Sequence, residues 1–308
     1  MSKIILTRLT QGIVVIFFIV SLTFFLVRAM PGDPFQYGPD GKKLPEHIVK
    51  ANKEYYQLDK GILTQYGMFL KNTFINRDLG PSMSKQGRKV SMILGQAFPN
   101  SVILGLASIF VALAIGIPLG ALAAFMKNTW IDFSSMGFAM LGICIPAFVI
   151  GPVLAMLLST KIGILNLAGW EQPKDIILPA FTLGLATAAY IARLTRAGML
   201  DILSSDFIRT AKAKGLSTSR TIIKHALKGG LIPAITYIGP AFAALISGSF
   251  VIETIFQVPG MGQHFINAAL ARDYNMLQGL VLLFGILIVI ANLLSDILLV
   301  FLNPKLRA

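Results

Sequence analysis

Apolar runs dominate this chain, and their lengths cluster near the 20 or so residues that an α-helix needs to cross the roughly 30 Å core of a bilayer. Leu9–Val27 is the first such run. The second lies within Val90–Met126, where Pro99 and Asn100 are expected to mark the helix start and Pro118 sits inside. Phe133–Thr160 is the third and contains Pro146 and Pro152. Ile176–Ala192 is short by itself but extends past Arg193. Gly229–Ile252, with Pro233 and Pro240, is the fifth, and the stretch from about Tyr274 to Leu302, with Asp296 inside, is the sixth. Interior prolines suit such helices, because neighbouring helices can satisfy the carbonyls they free.

Two segments break the apolar pattern. The first, residues 29–98, contains "PEHIVKANKEYYQL" and "KGILTQYGMFLKNTFI", which predict two short helices. Pro45 fits a first helical position, and Leu63, Tyr66 and Leu70 form one stripe. "NRDLGPS" then reads as a loop. The second is "DFIRTAKAKGLSTSRTIIKHALKGGLIP", residues 206–233, with six basic residues and one acid. Ser204 or Ser205 can cap its first helical half, Asp206 favours the positive helix N-terminus, and Phe207, Ile208 and Ala211 share a face. Ser217 can cap the second half, in which Ile222, Ile223, Ala226 and Leu227 form an apolar stripe and Arg220, Lys224 and Lys228 recur every four residues. Gly215 fits a position of positive φ between the halves, and Gly229 and Gly230 end the second. From these residues alone two readings stand: a basic loop resting on the bilayer surface, or a docking element for a partner.

Composition supports a membrane protein. Of 308 residues 55% are hydrophobic and 13% charged, where a soluble domain carries about 25% charged residues. Mean hydropathy is +0.72 and the pI about 9.9. The net charge of +13 reads as topology-setting lysines and arginines rather than a nucleic-acid surface, since no basic groove with stacking aromatics is evident. One cysteine, Cys144, and three scattered histidines, His47, His225 and His264, form neither a disulfide nor a zinc pattern. The N-terminal run is too long for a signal peptide and lacks a cleavage site, so it is read as a retained helix.

Loop charges set the expected orientation. Lys3 and Arg8, Lys127, eight basic residues from Arg193 to Lys228, and Lys305 and Arg307 share one side. The opposite loops, with Lys161, Glu171, Lys174 and Asp175, then Glu253, Arg272 and Asp273, are nearly neutral. The positive-inside rule puts both termini in the cytoplasm, and the long segment 29–98 lies beyond the loop length to which it applies. The chain has no G-x-x-x-x-G-K-[ST] phosphate loop, so any ATP-driven work must come from another chain.

With "RAMPGDPF", "ILPAFTLGLATAAYIARLTRAGML", "GPAFAALISGSFVIETIFQVPGMGQHFINAALARDY" and "NPKLRA", the insert resembles the cytoplasmic signature loop of the membrane subunits of binding-protein-dependent ABC importers. The likeness covers nearly the whole chain. It is nearest the peptide-transport branch, and there the oligopeptide permeases with a long first outside loop. Arg209-Thr210-Ala211 stand where the broad signature begins Glu-Ala-Ala, as is usual in that branch, and Asn303 stands where an acid is common.

The resemblance implies an all-α inner-membrane permease of six transmembrane helices with the type I ABC importer fold. The implied division is 1–28 as the first helix, 29–98 as an extracytoplasmic helical insert, and 99–308 as the core with a coupling loop at 197–230. It implies import of peptides, oligopeptides first, by alternating access; dipeptides, nickel or another small solute are the alternative. The implied partners are a second homologous permease, two ATPase subunits that hold the ATP and Mg, and an extracytoplasmic solute-binding protein. The chain itself is expected to bind no cofactor and to be no enzyme. An intramembrane enzyme and an ATP-independent channel are the competing classes, and the spans offer no pair of catalytic groups. The resemblance places the ATPase contact on Asp206, Arg209, Thr210, Ala211, Lys212, Ala213, Gly215 and Leu216. Glu253, Pro259, Gly260 and Gly262 are either a device closing the outer mouth or a plain return turn with a tight reversal at the glycines. Asp296 is read as structural, able to meet water, Lys305 or a neighbouring helix. Arg193 and Arg196 are read as snorkelling anchors, His225 as a surface residue, and Cys144 and Pro146 as serving packing and a kink.

Overall fold

The structure is a computed structural model that describes residues 2–36, 42–217, 221 and 226–302. Its regular structure is helical; the only extended pairing among the described residues is one isolated bridge between Pro81 and Lys89. The helices are α1 (Ser2–Ala29), α2 (Glu46–Tyr55), α3 (Ile62–Leu70), α4 (Val90–Phe125), α5 (Trp130–Cys144), α6 (Ala147–Ala155), α7 (Ile177–Leu203), α8 (Asp206–Ala213), α9 (Leu227–Gly230), α10 (Ile232–Gly248), α11 (Phe250–Ile255), α12 (Met261–Leu270) and α13 (Tyr274–Leu302). Five described helical runs are long and apolar enough to cross a membrane, and six when the bent pair α5–α6 counts as one.

The first, fourth and sixth expected spans correspond to α1, α7 and α13, and α7 carries on through Arg193 to Leu203. The others depart in informative ways. α4 does not start at Pro99 and Asn100 but at Val90, running 36 residues through both prolines. Such a helix is about 54 Å long, well beyond the apolar core, so its first turns need not lie in it. The third span is broken: α5 and α6 meet at 102°. Ile145 is extended (φ −92, ψ 120) ahead of Pro146, the conformation that a following proline imposes. The fifth is cut at Ser249 into α10 and α11. Gly229 and Gly230 end α9 as expected, one residue before α10 begins.

The chain forms two compact units, Met1–Leu9 with Ser101–Pro259 and Leu287–Ala308, and Thr10–Asn100 with Gly260–Ile286. In the first, α7 is the central element, with 67% of its apolar window buried. Ala112, Gly116, Gly120 and Ala124 of α4 recur every four residues and are all buried. A Cβ on Gly116 would stand 2.6 Å from the Ala188 carbonyl oxygen, and one on Gly120 would stand 2.8 Å from Thr195 Cβ. The two helices therefore meet backbone to backbone, as small residues four apart allow in membranes. α5 packs on α7 through Ala139, Ala189 and Ala192. A larger cluster gathers Leu104, Leu178, Leu183, Leu245, Ile252 and Phe256.

In the second unit Phe24 of α1 is fully buried against Tyr66 and Phe69 of α3, with ring centroids 5.2 Å apart in each pair. Tyr66, Phe69 and Leu70 of α3 are half-buried, whereas Leu63, expected on the stripe with Tyr66 and Leu70, is 76% exposed. Pro45 sits at the N-cap of α2, one place ahead of the expected first turn. Asp273 caps α13, accepting the Met276 N–H at 3.0 Å, and its other oxygen accepts the Ser84 N–H and hydroxyl at 3.0 and 2.9 Å.

Gly116→Ala forces the α4 and α7 backbones apart and should destabilise the detergent-solubilised chain by about 1–3 kcal/mol. Gly137→Ala on the exposed side of α5, where an added Cβ meets nothing within 4 Å, should be neutral or stabilise by up to about 1 kcal/mol. Thermal unfolding of both variants measures the contrast.

Candidate functional site: a short helix held at the end of the central span

The basic insert begins directly after α7. Neither expected serine caps α8: the Ser204 hydroxyl donates back to the Asp201 carbonyl at 2.8 Å and the Ser205 hydroxyl to the Ile202 carbonyl at 2.5 Å. The Ser205 carbonyl instead receives the N–H groups of Ile208 and Arg209 at 3.2 and 3.3 Å. Asp206 stands in the first turn as expected.

Ile208 fixes α8. It is 1% exposed and packs with Ala124 of α4, Met199 of α7 and Ala226. Of its two predicted face-mates, Ala211 is half-buried and Phe207 is 51% exposed. The helix stops through a hydrogen bond from the Leu216 N–H to the Ala211 carbonyl at 3.3 Å around Gly215, whose φ is +79. This is a Schellman-type end, and the positive φ expected of Gly215 is present. No neighbour lies within 4 Å of where a Cβ on Gly215 would be, so the constraint there is conformational.

Of the residues placed at the contact, Asp206, Arg209, Thr210, Ala213 and Gly215 are exposed, and Ala211 and Leu216 are half-buried. The Lys212 side chain is outside the described set. Arg209 reaches only Asp206, at 3.5 Å, with side-chain exposures of 76% and 96%. Lys214 and Lys228 are also exposed. In the second half, the Ser217 carbonyl accepts the Thr221 N–H and Oγ1–H at 3.0 and 3.1 Å. Arg220, Ile222, Ile223, Lys224 and His225 lie outside the described residues, as do Asn303, Lys305 and Arg307. Gly198 of α7 faces Gly230, where an added side chain would meet the Gly230 carbonyl and the Pro233 ring. Close packing thus adds to helix termination as a reason for glycine at 230.

Arg196 is no snorkelling anchor. Its Nε and Nη2 donate to the two carboxylate oxygens of Asp132 at 2.6 and 2.7 Å. Asp132, 2% exposed, also accepts the Asn128 N–H at 3.0 Å. A bidentate pair of this kind fixes geometry as well as charge. Sequence reading missed it; the available signal was a lone acid at the start of an apolar run. Arg193 is exposed, as an anchor would be, and so is Cys144. Asp296 accepts Arg8 Nε at 3.0 Å, so its neighbour is α1.

Glu253, first of the expected outer-mouth residues, is fully buried. Its Oε1 accepts the Ser101 hydroxyl at 2.8 Å and lies 2.6 Å from the Ser249 hydroxyl. Pro259 closes the same unit. Gly260 and Gly262 belong to the other, as N-cap and first turn of α12. The tight reversal is not at these glycines: Gly260 has φ −99, and the left-handed residue of the stretch is Gln257, φ 55. Val258 N–H to the Glu253 carbonyl at 2.8 Å and Gln257 N–H to that of Thr254 at 3.3 Å close the end of α11. That hydrogen-bonded pattern satisfies the last carbonyls and sustains αL at a residue other than glycine.

Residues 116–308 match the family described as binding-protein-dependent transport system inner membrane component, and residues 1–110 match its N-terminal membrane component. The oligopeptide transport system permease protein OppB of Haemophilus influenzae is 40% identical over 100% of both chains, and that of Escherichia coli K12 is 41% identical over the same span. The dipeptide transport system permease protein DppB of Bacillus subtilis is 36% identical, covering 100% of this chain and 98% of its own. Two crystal forms of the MetNI methionine ABC transporter in inward facing conformations share the fold, with TM-scores of 0.58 and 0.59 at 18% identity. Each covers 69% of this chain and 97% of its own. The chain belongs to the binding-protein-dependent transport system inner membrane component family.

Ile208→Ala removes the buried contact through which α8 packs on Ala124 and Met199 and should cost about 2 kcal/mol or more locally. Amide exchange from Arg209 to Lys214 should accelerate tenfold or more, about 1.4 kcal/mol per tenfold, with the transmembrane amides unchanged. Phe207→Ala, which removes an exposed ring, should leave those rates within about twofold. Hydrogen–deuterium exchange read by mass spectrometry compares the two.

Proposed function

We propose that this chain is one membrane-spanning half of an ATP-driven importer, forming with a second permease subunit a path for peptides, oligopeptides foremost. The observation that carries this reading is α8: a helix held by the buried Ile208, ended by a left-handed glycine, and presenting Asp206, Phe207, Arg209, Thr210 and Ala213 to solvent. A chain with no phosphate loop needs such a surface if a separate ATPase is to move it. The full-length likeness to oligopeptide permeases supports the substrate class. The 36% identity to a dipeptide permease makes shorter peptides the second reading.

On this reading two ATPase subunits, carrying the ATP and Mg, receive Asp206, Arg209, Thr210, Ala211, Lys212, Ala213, Gly215 and Leu216. Ala124 and Met199 then transmit the motion of α8 to α4 and α7, and the membrane helices alternate between inward- and outward-facing states. A solute-binding protein delivers peptide to the opposite side. The chain is a multi-pass inner-membrane protein, and we place α8 and both termini in the cytoplasm and segment 29–98 outside. The distribution of basic residues supports that orientation. The Arg8–Asp296 pair supports it too, because it joins the start of α1 to the last third of α13. Glu253 with Ser101 and Ser249 is assigned a role in holding the break between α10 and α11.

Gly215→Pro tests the docking assignment. Proline cannot adopt a φ near +79, so the turn after α8 is lost. Peptide uptake and transport-coupled ATPase activity in proteoliposomes of the assembled complex should fall tenfold or more. Gly215→Asn, which tolerates the left-handed region, should keep most of both. Unchanged uptake and coupling in the proline variant would sink the assignment.

A further inference from the structure

Within the unit built from Thr10–Asn100 and Gly260–Ile286, a cavity of about 470 Å³ opens beside the end of α1, α3, the 78–81 loop and the start of α13. Arg28, Gln65, Asn275 and Gln278 are among its polar lining groups, and Tyr55 and Tyr56 line it with rings set edge to face, 4.9 Å apart. A cavity of this size suits a ligand of one to a few residues.

Two donors here lack the acceptors that chemistry calls for. The Arg28 guanidinium lies over the Phe24 ring at 3.5 Å, and its Nε donates to Gln65 Oε1 at 2.8 Å. Its other hydrogen bond, from Nη1 to the Phe24 carbonyl, is a long 3.5 Å. No carboxylate among the described residues lies within ion-pair distance of Arg28. Asp78, the acid on the cavity wall, is taken by Lys89 at 3.1 Å and by the Gly80 N–H at 3.0 Å. Gln65 is itself pinned, its Nε2 donating to the Lys60 carbonyl at 2.7 Å, so the guanidinium is held rather than mobile. Gln278 is 3% exposed, and its side-chain Nε2 has no hydrogen-bond partner. A buried donor left so costs about 1–3 kcal/mol, which an arriving oxygen ligand would recover.

A fixed guanidinium lining the same cavity as an unpartnered amide donor matches a carboxylate, which accepts a planar fork through both oxygens. We propose that this cavity binds the C-terminal carboxylate of a peptide, with Arg28 as its charge partner and Gln278 donating to the terminal oxygens or the last peptide carbonyl. Tyr55, 70% exposed, lines the wall where the terminal side chain lies, a flat surface with little preference among side chains. This rests on the peptide-import reading and deepens it, adding a holding site on the permease itself.

The test uses the assembled complex in nanodiscs of phosphatidylcholine, without the solute-binding protein, and a fluorescent tripeptide in two forms, free acid and C-terminal amide. The acid should bind about tenfold more tightly than the amide, the difference that charge-assisted hydrogen bonds of this kind provide. Arg28→Gln should abolish the preference and Arg28→Lys should keep part of it. Gln278→Met removes the buried donor without adding charge, so it should fold as well as the parent and still weaken the acid severalfold. Equal binding of acid and amide to the parent chain, or a preference that survives Arg28→Gln, overturns the site. Retention of phosphatidylglycerol through Arg28 in place of the peptide also overturns it. Uptake with the solute-binding protein present is scored separately: uptake that stays coupled to ATP while the acid preference is absent rejects the cavity and leaves the import reading standing.

Discussion

The close approach of α4 to α7 is the constraint on which the first unit depends. In a bilayer, burying apolar side chains supplies little drive for helices to associate, because lipid tails are as apolar as leucine. What remains is packing, and packing is best where backbones touch. The stripe Ala112, Gly116, Gly120 and Ala124 provides that surface, and α7 answers with Ala188, Ala192 and Thr195. α5 joins beside it, Ala139 packing with Ala189 and Ala192 of α7, and Gly198 continues the pattern against Gly230. Ile208 reaches Ala124 and Met199 because both helices are already locked together at that end. The small-residue stripe therefore positions α8 as well as the core.

Acids at or near the spans are each given partners suited to their surroundings. Asp132, nearly inaccessible, takes the two-pronged guanidinium of Arg196. Glu253, fully buried, takes serine hydroxyls. Asp296, with its side chain 29% exposed, takes Arg8, whose own side chain is 53% exposed. The grading follows desolvation cost: the less water an acid can reach, the more directed its donors must be. Removing Arg196 leaves Asp132 as an uncompensated buried charge, the worst outcome in this series.

Segments whose signal is local were legible from sequence. Apolar runs gave α1, α7 and α13, and the basic insert gave α8 with its positive φ at Gly215, because length, charge and a glycine each act within a few residues. What failed was whatever depends on a second segment. Proline was taken as a start signal at Pro99, yet α4 runs through it. At Pro146 the same residue turns the chain by 102°, and only the packing of α5 and α6 on α7 separates these outcomes. Arg196 looked like an anchor because its partner lies 64 residues earlier. Gly229 and Gly230 do close α9, but the second role of Gly230, making room for Met199 and Gly198, depends on α7 and was not legible locally. The motif at Gly116 and Gly120 was in plain view as two glycines four apart, and it could have been found by asking which helix face lacks bulk.

The balance between small and basic residues on α8 follows from exposure. Arg209 has only an exposed i, i+3 neighbour in Asp206, and a solvated pair of this kind is worth about 0–1 kcal/mol. Its charge, with that of Lys214, is therefore nearly free to meet an acidic partner, and charges at a rim act mainly on the rate and orientation of encounter. Thr210, Ala213 and Gly215 carry little bulk, so a cleft can close on the α8 backbone at that end. The same end is fixed in direction by the turn at Gly215 and in position by Ile208. A lever needs a rigid attachment and a close fit at the point of force, and it needs little from long flexible side chains. If α8 is such a lever, its basic residues set how quickly the partner arrives, and its small ones set how much of the partner's motion reaches α7.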